Sequence, residues 1–267
     1  MKTKFSLCLA SSLLFATVSA SGLEAADVQK TIDEAELSLP AGMAGSSPFF
    51  GKLSELPKID GTSKIPVVVF LHGSSGFFDA TRTFQKWLAN DVGVASFAPN
   101  SMAFPNRIIY KSPVSKEIYE QVHTLRAAEL KASIDYLSRL PWVDRSRLII
   151  AGTSEGAVSI ARYDGPAVAA RMIFAWSCET NYFVDKDNTA IPGNQAVLNV
   201  ISASDPYFSP INPWNASYAV KGHCGDALKE HKNAEIVLIP GAPHTLLNLK
   251  QTQGATKAFI SGVIKTE

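Results

Sequence analysis

The sequence predicts a three-layer α/β/α sandwich around a mostly parallel central sheet. Three observations carry that expectation. Continuously apolar, β-branched runs such as "IPVVVFLHG", Ile65 to Gly73, have the pattern of strands buried on both faces. Segments of helical period separate these runs, so the chain alternates strand and helix. Right-handed crossovers then place helices on both faces of one sheet. With 267 residues and 46% apolar composition, the chain is long enough for one sizeable core.

The elements follow in order. The first twenty residues, "MKTKFSLCLASSLLFATVSA", place two lysines before an apolar run and end in Val18-Ser19-Ala20, which predicts a cleaved secretory signal. That run is short and diluted by serine, a poor membrane span, and no later stretch is a better one. The protein is therefore expected to be exported, to a periplasm or the extracellular medium, without stable membrane insertion. Residues 21–60 are polar, then rich in Gly, Ser and Pro, and read as an N-terminal arm or edge segment with a short edge strand near "AELSLP". Residues 61–267 form the main domain. Its first strand ends at Gly73. "TRTFQKWLAND" follows as a helix with Phe84, Trp87 and Leu88 on one face. "VGVASFAP" is a strand, and a loop runs from Asn100 to about Val114. "SKEIYEQVHTLRAAELKASIDYLSRLP" is a long helix or a broken pair, with Ser115 placed to cap it and Pro141 past its end. "SRLIIAG" is a strand and "EGAVSIARY" a helix. "AARMIFAWS", "QAVLNVISASD" and "HKNAEIVLIPGAPH" add three strands, and "QTQGATKAFISGVIK" is the closing helix.

Charge narrows the range of partners. The formal net charge is +1 and no basic run is present, which argues against a nucleic-acid partner. Once residues 1–20 are removed, Cys178 and Cys224 remain. An even count in an exported protein permits one disulfide between them, and neither spacing nor number supports a structural zinc site, which needs four ligands close together. No metal is expected.

The chemistry concentrates in "GTSEG", residues 152–156. This is a G-x-S-x-G pattern with a strand before it and a helix after it. A sharp turn there brings backbones close together, which explains both glycines, and it presents the Ser154 hydroxyl. The alternative role for Ser154 is a helix cap. A reactive serine needs a base. His244 follows the last strand in "IPGAPHTLL", and Asp205 follows the strand before it in "VISASDPYF". All three residues sit at the carboxyl ends of strands, where ligands bind in open parallel sheets. The chain order Ser, Asp, His is that of a nucleophile-elbow hydrolase. Asp226, Glu179 and Asp185 are rival acids. The oxyanion formed by attack needs two donors. The expected pair is the backbone N–H of Glu155 and that of Ser74, with Ser75 as the alternative, from the loop "LHGSSGFF". His72 is expected to hold that loop in place. Phe77, Tyr207, Phe208 and Trp214 are candidate pocket walls, with core packing as the competing role.

Together these segments resemble the dienelactone-hydrolase-like branch of the α/β-hydrolases over roughly residues 60–262. The resemblance is carried by "VVVFLHGSSG", "SFAPNSMAFPNR", "HTLRAAELKASIDYLSRLPWVDRSRLIIAGTSEGA", "SASDPYF" and "GAPHTLL". It implies a catalytic domain over 61–267 that hydrolyses carboxylic esters or lactones, and sometimes amides, without a cofactor. It also matches Arg107 and Arg126 to arginines the family carries. The chain departs from the pattern in four places. Ser154 stands where the namesake enzymes have cysteine, Glu155 where many exported relatives have histidine, Ala157 where they have a second glycine at the elbow's end, and Asn100 where an acid is usual. The Glu155 side chain is expected either to pair with a cation such as Arg126 or Arg162 or to disfavour anionic substrates. The expected activity is a serine esterase or lactonase acting on a small molecule. The alternatives are a peptidase on the same three residues and a catalytically silent binding protein. The sequence sets no oligomeric state.

Overall fold

The computed structural model describes residues 23–59, 63–185 and 189–265. The expected signal, residues 1–20, lies outside the described residues. The chain forms helix α1 (Ala25–Asp33), strands β1 (Glu36–Leu39), β2 (Phe49–Lys52) and β3 (Ile65–Leu71), helix α2 (Asp79–Trp87), strand β4 (Ala95–Ala98) and helix α3 (Lys116–Leu137). It continues through β5 (Val143–Thr153), α4 (Glu155–Arg162), β6 (Ala170–Phe174), β7 (Ala196–Ser202), α5 (Gly225–Leu228), β8 (Ala234–Ile239) and α6 (Lys250–Ile264).

The strands make one eight-stranded sheet in the order β2-β1-β4-β3-β5-β6-β7-β8. Strands β3 to β8 are all parallel, and β1 runs antiparallel to both β2 and β4. Alternation along β3 shows why the runs are apolar on both faces. Val67, Val69 and Leu71 pack with α1, α3 and α4 through Ile32, Tyr119, Leu130, Val158 and Ile160. Val68 and Phe70 face the other way, onto α2 and α6 through Phe84, Phe259 and Ile260. Two hydrophobic layers thus enclose the sheet, giving the α/β/α sandwich the sequence predicts. Among the described residues no helix is long and apolar enough to cross a membrane.

Three local differences have physical reasons. The "AELSLP" strand is β1, but it lies one place inside the edge, and β2 is the edge strand. Its Leu37 and Leu39 are buried in the core, so this part of the arm is an integral layer of the sheet. Helix α1 and strand β2 are short, with little periodic signal of their own, and are held by contacts remote in sequence. Examples are the Ala35 carbonyl, which accepts from Leu53 N at 2.8 Å, and the Thr31 carbonyl, which accepts from Asn100 N at 2.8 Å. The long helical run is one unbroken helix, α3. Ser115 occupies its N-cap position without a side-chain cap bond.

The chain leaves β3 for β4 on one side and later returns to β5 on the other. The loops after β3 and β5 therefore lie side by side where the strand order reverses, the place where open α/β sheets bind ligands.

Candidate active site

Strand β5 delivers Ser154 to the carboxyl rim with φ at 54° and ψ at −118°. A positive φ at a non-glycine residue is costly and is held only by a surrounding structure that leaves no alternative. That structure is visible at the two flanking glycines. A Cβ on Gly152 would stand 2.7 Å from the Gly156 carbonyl carbon and oxygen, and one on Gly156 would stand 2.4 Å from the Leu71 carbonyl oxygen. The turn is therefore pressed against β3, and Ser154 N is pinned by donating to the Phe174 carbonyl at 2.9 Å.

Two other strand ends converge on it. His244 Nε2 lies 2.9 Å from Ser154 Oγ, and His244 Nδ1 lies 2.8 Å from Asp205 Oδ2. The carboxylate can only accept, so Nδ1 carries the proton and Nε2 is left to accept from the serine hydroxyl. Asp205 is buried, and its second oxygen accepts from Tyr207 N at 2.9 Å and Phe208 N at 3.1 Å. These bonds fix the carboxylate plane. Two of the rival acids are engaged elsewhere: Asp226 pairs with Lys221, and Glu179 accepts from Lys221 N and Gly222 N. The acid bonded to His244 is Asp205, not Asp185.

The loop after β3 borders the serine. A Cβ on Gly73 would stand 3.4 Å from Ser154 Cβ, so Ser74 follows directly from the point of contact. Glu155 opens α4, where the first N–H groups of a helix lack intrahelical acceptors. His72 is buried and neutral in form. Its Nε2 accepts from Ser101 N at 3.1 Å, so its Nδ1 is the protonated nitrogen and donates to the Gly73 carbonyl at 2.7 Å. Burial, reinforced by Arg126, holds its pKa well below the ordinary histidine value. Asn100, in place of the usual acid, caps the turn that carries Ser101, its Oδ1 accepting from Met102 N at 3.1 Å.

The Glu155 carboxylate is buried. Arg107 Nη2 donates to its Oε1 at 2.5 Å, and the Tyr110 hydroxyl donates to its Oε2 at 2.7 Å. Arg126 Nε lies 3.6 Å from Oε1. Arg162, the other expected cation, pairs with Glu120 instead. Arg126 also faces Glu129 at 2.9 Å, and burial holds the Glu129 carboxyl above its ordinary range. Burial and the neighbouring Glu155 push the Tyr110 phenol far above its ordinary value. Sequence reasoning missed Tyr110 altogether, since a lone tyrosine in a loop carries no motif.

The aromatic candidates divide by depth. Tyr207 is 37% exposed and its ring meets that of His244 edge-on at 4.6 Å. Phe208 is buried and packs beneath, with Tyr182 and Phe183, so its place is in the core rather than on an open wall. Trp214 is half-buried against Tyr182 at 5.1 Å. Phe77 is half-buried at 4.9 Å from the His72 ring. Cys178 and Cys224 form a disulfide, joining the loop after β6 to the start of α5. Among the described residues no group of three or more His, Cys, Asp or Glu is placed to hold a metal ion.

This architecture has many counterparts among solved structures. A putative dienelactone hydrolase from Klebsiella pneumoniae aligns at a TM-score of 0.54 and 15% identity, covering 86% of this chain and 98% of that one. The fold is that of the α/β-hydrolases. Est1E from Butyrivibrio proteoclasticus aligns at a TM-score of 0.51 and 19% identity, over 87% of this chain and 94% of that one. A dienelactone hydrolase-like promiscuous phosphotriesterase, P91 from metagenomic libraries, aligns at 0.54 and 17%, over 86% and 97%. The sequence matches no family model and no curated protein, so the likeness is one of α/β-hydrolase fold.

Proposed function

We propose that this α/β-hydrolase-fold protein is an exported serine hydrolase that cleaves carboxylic esters or lactones through an acyl-enzyme. The observation that carries the reading is the continuous hydrogen-bonded line from Ser154 Oγ to His244 to Asp205, 2.9 and 2.8 Å long. The likeness in fold to proteins named esterases and dienelactone hydrolases supports it. The formed disulfide supports an oxidising compartment, and with it export.

The steps follow from the geometry. Ser154 Oγ attacks the carbonyl carbon while His244 Nε2 takes its proton. Asp205 holds the imidazole in the tautomer that leaves Nε2 free to accept, and stabilises the imidazolium once formed. The carbonyl oxygen becomes an oxyanion between the backbone N–H groups of Ser74 and Glu155, where preorganised donors cost no reorganisation. Collapse expels the alkoxide, which takes the proton from His244. Water then attacks the acyl group with His244 as base, releasing the acid and restoring Ser154. Tyr207, exposed beside His244, borders the space where the leaving group departs.

The test is a panel of esters, lactones, thioesters and amides, run with wild type beside Ser154→Ala and a fluorophosphonate probe. Wild type is expected to label and to turn over short-chain aryl esters, and Ser154→Ala to do neither while keeping its fold. Equal turnover by the two proteins would remove Ser154 from the reaction.

A further inference from the structure

Glu155 stands twice at this site. Its backbone N–H is one proposed oxyanion donor, and its buried side chain closes a circuit that reaches the other donor. Followed around, the circuit starts at Glu155 Oε1, which accepts from Arg107 Nη2 at 2.5 Å. Arg107 Nε donates to Ser101 Oγ at 2.9 Å, and Ser101 N donates to His72 Nε2 at 3.1 Å. The His72 carbonyl accepts from Arg126 Nη2 at 2.8 Å, and Arg126 Nε returns to Glu155 Oε1 at 3.6 Å. Every charged or ring member is at most 8% exposed. One oxyanion donor, Ser74, lies two residues beyond His72, and the other is Glu155 itself. The circuit therefore spans the two backbone segments whose spacing defines the oxyanion site.

Simpler roles fit less well. A buried carboxylate is costly, and hydrophobic residues of similar volume often serve stability equally well. Two arginines and a tyrosine spent on one carboxylate next to the nucleophile need another reason. Nor is this a substrate site for anions, since Arg107 is committed to Glu155, Ser101 and the Ile108 carbonyl.

We infer that the Glu155 side chain is a positioning residue for the oxyanion hole, holding the loop after β3 and the start of α4 at the separation that lets both N–H groups meet one oxygen. The inference rests on the proposed hydrolase reaction. Because the oxyanion exists only in the transition state, loosening the circuit should lower kcat and leave KM nearly unchanged.

The experiment compares wild type, Glu155→Gln, Arg107→Lys and the double variant Glu155→Gln with Arg107→Met. Each is measured for kcat and KM on a short-chain aryl ester, for inhibition by an aryl trifluoromethyl ketone, and for urea stability. The ketone adds to Ser154 and places an oxyanion in the hole. Glu155→Gln removes the charge at constant shape. A displaced donor costs on the order of 10- to 100-fold, so kcat and ketone affinity should fall together by that factor, with KM within about 2-fold. The double variant removes the unpaired cation and should regain stability without regaining kcat, the result a purely structural role would not give. Should Glu155→Gln fail to fold, Arg107→Lys decides. It keeps the charge but lacks the fork that reaches Glu155 and Ser101 together, and it should show the same parallel loss. Folded variants with wild-type kcat and ketone affinity, or a double variant whose kcat recovers with its stability, would overturn the inference. A wild type that neither labels with fluorophosphonate nor turns over ester would instead overturn the hydrolase reading beneath it.

Discussion

At Asp205 the two carboxylate oxygens have different duties, and a single substitution separates them. Oδ1 accepts from two backbone N–H groups and Oδ2 from His244. In Asp205→Asn the amide oxygen must stay with the two N–H donors, which turns the NH₂ toward His244. The imidazole then accepts at Nδ1 and carries its proton on Nε2, where it can no longer take one from Ser154. We expect kcat to fall by roughly 10³- to 10⁴-fold with an unchanged fold, measured by ester turnover and near-UV circular dichroism. A loss under tenfold would show that the tautomer is not set this way. Gly156 invites a different prediction. Its missing Cβ would meet the Leu71 carbonyl oxygen at 2.4 Å, which is backbone and has no rotamer to yield. Gly156→Ala should destabilise by about 3 kcal/mol or more, read from the urea midpoint. The convergence of Ser154, Asp205 and His244 was legible in the sequence because each follows a strand whose carboxyl end lies at the same rim of the sheet. The partner of Glu155 was not. Arg107 and Arg126 both carry the right charge, and only the path of the 100–115 loop decides that Arg107 takes the close position.

Among the elements, legibility follows how much of each element's stability is local. Strands β3, β5, β6 and β7 are apolar on both faces and announce themselves. Strands β1 and β2, four residues each, exist because β4 offers an edge and the core accepts Leu37 and Leu39. The sequence marks β1 in "AELSLP", but four residues cannot report its place inside the sheet, and β2 carries no such mark. Strand β8 is an edge strand with Glu235, Ile236 and Leu238 exposed, yet its position after a turn still marks it. The disulfide acts at this scale, closing a loop of 46 residues across the β7 strand and the segment that carries Asp205. Loop-closure entropy for that length amounts to about 4 kcal/mol, with measured effects usually 2–4. Replacing both cysteines with alanine should lower unfolding stability by that amount. It should also raise protease sensitivity in residues 205–224 before elsewhere, as mapped by limited proteolysis and mass spectrometry. Loss of stability spread evenly along the chain would point to the core instead.

Taken whole, the molecule sets two hydrophobic layers around a sheet and gathers buried titratable groups on the α3 side of its rim. His72, His123, Glu129 and Glu155 all lie there, each shielded from water. This placement gives the fold a pH dependence whose sign can be worked out. Burial holds both His72 and His123 below the ordinary histidine value in the folded state. Well above about pH 6.5 both are neutral whether the chain is folded or not, and their contribution is complete. As pH falls below that value the unfolded chain takes up protons that the folded chain refuses. Each such proton costs about 1.4 kcal/mol per pH unit. Glu129 works in the opposite direction. Its raised folded value means that the native state gains a proton first, so falling pH favours folding between that value and about 4.5, the unfolded glutamate range. The histidines outnumber it, and their window opens from the neutral side. The urea midpoint should therefore hold steady from pH 8 to 7 and decline as the pH falls below about 6.5, with net proton uptake on unfolding. His123→Phe, which removes one buried titrating ring whose Nδ1 stands 3.6 Å from Glu120 Oε2, should reduce that uptake. A midpoint flat from pH 7 to 5.5 would mean that the rings take up protons in the native state. The neutral His72 that ties Ser101 to the loop after β3 would then not be the form that persists in acid.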